Sequence, residues 1–103
     1  MENKMLQEIA NWFILIKAPD LKDKISEAIA NIDSGSDLSE NQRKLIGFIC
    51  FSFSMNHGPA SFIGIEFMVK HIGVEKEFTD YANNWIEHSK KPHPQNNPDE
   101  TSN

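Results

Sequence analysis

The chain has 103 residues, a net charge of −5, 39% hydrophobic and 24% charged residues, and a single cysteine. That length suits one domain with one real core, and the composition excludes a disordered or collagen-like chain. One cysteine excludes an internal disulfide, so the fold does not depend on an oxidising compartment and the cytoplasm is the expected location.

The first predicted helix is the most regular. Met5, Leu6, Ile9, Trp12, Phe13 and Ile16 recur at spacings of three and four, one stripe of a helix. Glu2, in the charged segment before it, is unlike the basic start of a secretory signal, so export is not expected. Ala18-Pro19 ends the helix, because proline disfavours helical geometry in the residue before it. A second helix is expected from Pro19 or Asp20, with Asp20 as its cap and Asp23 near the positive end of the dipole. Leu21, Ile25, Ala28, Ile29 and Ile32 form its stripe. The short link predicts an antiparallel hairpin of these two helices. Asp33-Ser34-Gly35-Ser36-Asp37 reads as a loop.

Ser39-Glu40-Asn41-Gln42 matches a capping box, so a third helix starts there and runs to about Asn56. It contains Leu45 to Met55, an uncharged apolar run that predicts the central element of the fold. The run is about half the ~20 residues that span a bilayer. His57-Gly58-Pro59 stops it, since glycine accepts left-handed geometry and proline opens the next helix. A fourth helix is expected over roughly 60 to 71, with a buried strand at Phe62 to Val69 as the alternative. No partner strand is evident, which favours helix. Gly73 reads as its cap. A fifth helix over Glu75 to Ser89 carries Val74, Phe78, Tyr81, Ala82, Trp85 and Ile86 on one stripe. The expectation is an all-α, compact five-helix bundle over residues 1–91, followed by a disordered tail over 92–103. Gly47 and Gly64 each cost about 1 kcal/mol within a helix, which a close crossing of the third and fourth helices would offset; a bend is the alternative at Gly64.

Chemistry-bearing motifs are sparse. His57, His71, His88 and His93 lack the paired spacings of a zinc site, so no metal is expected. His57 and His88 are better placed to cap helix C-termini. Cys50, between Ile49 and Phe51, reads as a buried inert thiol. No catalytic carboxylate pair and no phosphate-binding glycine loop occurs, so neither catalysis nor a cofactor is expected. The turn at Gly58-Pro59 invites a helix-turn-helix reading, but the following helix offers apolar residues and Lys70 alone among basic ones, which disfavours DNA.

Charge is uneven. Asp20, Asp23, Glu27, Asp33, Asp37 and Glu40 face only Lys22 and Lys24 within residues 20 to 40, a local net of −4. Such a segment repels phosphate and favours a basic protein partner. These six acids are therefore the candidate partner-binding residues, chosen on charge alone. Some of Phe48, Phe51, Phe53, Phe62 and Phe67 are the second candidate contact, as surplus apolar anchors.

In size, acidity, helical character and lack of catalytic residues, residues 1 to 91 resemble the small helical immunity proteins of bacteria. The resemblance is at the level of class, and no motif carries a residue over. It implies a non-enzymatic inhibitor that neutralises a contact-dependent-inhibition or bacteriocin toxin, many of which are basic nucleases, by occluding the active-site cleft. The alternatives are a phage or plasmid accessory protein that mimics nucleic-acid charge, a small enzyme or ligand-binding bundle with a polar pocket near Cys50, His57 or His71, and a homodimer without catalytic role.

Overall fold

The computed structural model describes residues 4–90, and the expected tail lies outside them. Helix α1 spans Lys4–Ile16; a 3-10 turn, Pro19–Leu21, leads into α2 at Lys22–Asp33; α3 spans Glu40–His57, α4 Pro59–Ile72 and α5 Glu75–Lys90. Among the described residues there is no strand, so Phe62 to Val69 is helical.

α3 packs against α1, α2, α4 and α5, and its contact with α5 is the most extensive in the fold. It buries Ile46, Gly47, Ile49, Cys50 and Ser54. The Ser54 hydroxyl donates to the Phe51 carbonyl at 2.8 Å, so this buried polar side chain is satisfied. Around α3 the core takes Leu6, Ile9, Ala10 and Phe13 from α1, and Ile25, Ala28 and Ile29 from α2. Ile65 and Val69 of α4, with Val74 and Phe78, complete it. Each of the larger side chains, the leucine, isoleucines, valines and phenylalanines, contributes about 1.5–3 kcal/mol by leaving water.

Several local expectations change in three dimensions. Asp20 is not a side-chain cap: the N-cap of α2 is Leu21, and neither it nor Ala18 before the 3-10 turn makes a side-chain capping bond. The turn itself satisfies the backbone, with the Leu21 amide donating to the Ala18 carbonyl. α1 and α2 follow one another across this turn. They touch chiefly through the turn that joins them, and each docks on α3, whose apolar run offers more surface to both. Met5 and Ile16 lie at the edge of the buried arc of α1 and stay exposed.

The glycine crossing is displaced. Gly47 meets α5, not α4: a Cβ there would lie 2.9 Å from the Glu77 Cβ and 3.1 Å from the Phe78 backbone nitrogen. Gly64 faces α1, where the nearest atom is the Met5 methyl at 3.3 Å.

Helix ends follow local chemistry. Ser39 and Gln42 form the capping box, with the Gln42 amide donating to the Ser39 hydroxyl at 3.1 Å and the Ser39 amide donating to the Gln42 side-chain oxygen at 2.9 Å. Gly58 has φ 85 and ψ 178, a conformation essentially confined to glycine, which turns the chain between α3 and α4. His57 and His88 each place Nδ1 at the carbonyl four residues back, at 3.0 and 2.8 Å, in the last turns of α3 and α5.

Candidate functional site

The six acidic candidates lie on the surface, in three settings. Asp23 and Glu27, one turn apart, share the outward face of α2, opposite the buried Ile25, Ala28 and Ile29. Asp20 precedes them in the 3-10 turn. Asp33 ends α2 and Asp37 lies in the loop after it. From one end of α2 to the other this edge runs roughly 18 Å, at 1.5 Å per residue. Glu40 stands apart. It opens α3 and pairs with Lys44 at 3.2 Å, beside a shallow cleft toward α5 that also includes Lys76 and Asp80.

The loop after α2 is held rather than loose. The Ser36 amide donates to the Asn31 carbonyl at 2.9 Å and the Gly35 amide to the Ile32 carbonyl at 3.1 Å, the paired bonds of a Schellman turn. Gly35 occupies its left-handed position at φ 76, where a side chain would be strained. The Asn31 amide donates to the Gln42 side-chain oxygen at 3.2 Å, tying the end of α2 to the start of α3. At the far end of the loop, Arg43 Nη1 donates to the Leu38 carbonyl at 2.7 Å while its Nε donates to Glu77 at 3.3 Å.

This loop forms one wall of a cleft of about 800 Å3, whose other wall is the end of α4 at His71, Ile72 and Gly73. Asp33 and Asp37 both line it. The C-terminal ends of α2 and α4 meet here, each carrying the partial negative charge of its helix dipole. Arg43 also lines the cleft, but Glu77 offsets its charge. The chemistry favours a cationic group, such as a lysine or arginine side chain entering between the carboxylates. His71 was named only beside the polar pocket of the ligand-binding alternative, and Arg43 not at all: they lie 38 and 10 residues from Asp33 and meet it only through tertiary packing.

Cys50 is fully buried, and burial pushes its thiol up to about 12, so it has neither access nor ionisation. Among the described residues, no three His, Cys, Asp or Glu side chains stand close enough together to hold a metal ion. No described helix is long and apolar enough to cross a membrane.

The aromatic surplus divides. Phe48 and Phe67 are exposed, whereas Phe51, Phe53 and Phe62 are half-buried against the core. Phe48 bridges Phe13 and Tyr81 at ring separations of 5.9 and 5.3 Å, so it is a packing residue with an exposed edge.

No family model, no curated protein and no solved structure matches this chain significantly.

Proposed function

We propose that the chain is a non-enzymatic, protein-binding inhibitor of the bacterial immunity type, acting in the cytoplasm, whose acidic edge occupies the basic cleft of a toxin. The observation that supports this most is the held loop with Asp33 and Asp37 on a cleft where two helix C-termini converge. Asp23 and Glu27 add charge on the outward face of α2, about 80–120° around the helix from Asp33 and interleaved with Lys22 and Lys24. A preorganised acidic strip binds a basic surface without first ordering itself, and its field speeds encounter. Glu40 contributes less than its charge suggests, because Lys44 neutralises it locally.

The test uses tagged full-length chain to capture a basic toxin domain, followed by calorimetry with the triple variant Asp23→Lys, Glu27→Lys, Asp37→Lys. At least a tenfold loss of affinity is expected, about 1.4 kcal/mol. An unchanged affinity overturns the acidic edge as the site.

A second reading follows from the two carboxylates that line the cleft. A small cationic ligand, such as a polyamine, would suit the same cleft between Asp33, Asp37 and the end of α4. Spermidine titration separates the two: saturable binding abolished by Asp37→Lys favours the ligand, and its absence with toxin binding intact favours the inhibitor.

A further inference from the structure

α4 is apolar on two opposite sides. Ile65 and Val69 are buried in the core, with Phe62, Met68 and Ile72 packed against it. On the outward side Ile63 and Phe67, one turn apart, are 67% and 76% exposed. A helix that is apolar all round is ordinarily covered all round, and clustered exposed apolar side chains mark contact surfaces. The strip continues into a groove of about 410 Å3 lined by Ser54, Met55, Gly58, Phe62 and Ile63.

Charge indicates what covers it. α4 carries Glu66, Lys70 and His71, so with histidine neutral it has no net charge in a chain of net charge −5. A strongly basic partner gains nothing on this face; it is drawn to the α2 edge. Glu66 and Lys70 are four residues apart, so they follow one another along a single flank of the Ile63–Phe67 strip. When two copies of such a helix lie antiparallel, the same flank of each meets the other, and Glu66 of one falls beside Lys70 of its mate. A parallel pair would set Glu66 level with Glu66 and Lys70 level with Lys70. The flank therefore complements itself in the antiparallel arrangement that a twofold axis generates. Lys70 is available for this, since its contact with Glu75 is a loose 3.8 Å pair between exposed side chains.

We propose that the chain forms a twofold dimer through α4, centred at the level of Met68, with Phe67 of each copy packed on that of the other and two Glu66–Lys70 pairs along the flank. This face is separate from the acidic edge, so a dimer presents two such edges.

Sedimentation equilibrium of the full chain tests it. The expected mass is twice 11.8 kDa at high concentration, falling on dilution. Phe67→Lys, at an exposed position, raises the dissociation constant at least about 30-fold. Glu66→Lys alone weakens the dimer by placing lysines against lysines. Adding Lys70→Glu reverses the flank and restores association to within about threefold of the wild type. An 11.8 kDa species at every concentration up to about 1 mM overturns the proposal. A dimer indifferent to Phe67→Lys, or a charge swap that does not restore association, overturns it equally. The swap variants conserve both residue types, so they decide the matter even if Phe67→Lys disturbs the fold.

Discussion

Gly47 of α3 lies against Glu77 of α5 so closely that a Cβ on Gly47 would stand 2.9 Å from the Glu77 Cβ. One turn earlier on α3, Arg43 reaches the carboxylate of the same Glu77 at 3.3 Å. The largest helix contact in the molecule is thus set by a missing side chain and closed by an ion pair beside it.

Gly47→Ala and Gly64→Ala are expected to have opposite signs. Both gain up to about 1 kcal/mol of helix propensity. At Gly47 the new methyl meets backbone of α5, and overpacking of this kind costs about 1–3 kcal/mol, so the net is a loss of up to about 2. At Gly64 the neighbour is the end of the flexible Met5 side chain, which swings aside, so the variant is more stable by about 0.5–1 kcal/mol. Urea midpoints of the two variants check this, and matching signs would refute the packing argument.

Arg43→Ala removes the bond to Leu38 and leaves Glu77, whose side chain is 13% exposed, without its cation. A loss of about 2 kcal/mol is expected, from one charge-assisted bond and one stranded carboxylate. Hydrogen exchange at residues 34–38 should accelerate beyond the global change. Glu77→Gln retains most of the shape and should cost less than Arg43→Ala, because the Leu38 anchor persists.

Cys50 predicts a loss of stability in alkali. Its folded thiol is raised to about 12 from an ordinary 9.0, so between those values the unfolded chain releases a proton that the folded chain retains. Stability is full below about pH 9 and declines as the pH rises toward 12. Cys50→Ala should flatten that part of the denaturation-against-pH curve. In the wild type, an aromatic disulfide reagent should label Cys50 only as fast as the chain opens.

Single charge reversals should rank the acidic edge. Asp37→Lys and Glu27→Lys are expected to slow association with a basic partner more than Glu40→Lys, because Glu40 is already paired with Lys44. Stopped-flow rates at two ionic strengths read this directly, with the difference shrinking at high salt. Equal effects at all three positions would show that only net charge matters.

Local chemistry made much of the fold legible. The three-and-four spacing of Leu6, Ile9 and Phe13 marked α1, Ser39 and Gln42 marked the start of α3, and Gly58-Pro59 marked the joint with α4. These signals need only neighbours along the chain. The six acids were visible as charge for the same reason. Which of them share a surface was not.

Residues 45 to 55 determined, by their apolarity alone, that α3 would be the element the others cover. Only the tertiary structure decided that Gly47 meets α5 rather than α4. It also brought the end of α4, with His71, opposite Asp33 and Asp37, and turned Ile63 and Phe67 outward. Periodicity states that a helix has an apolar face. It does not state which neighbour takes that face when α4 has two, because that choice depends on the shapes of side chains distant in sequence.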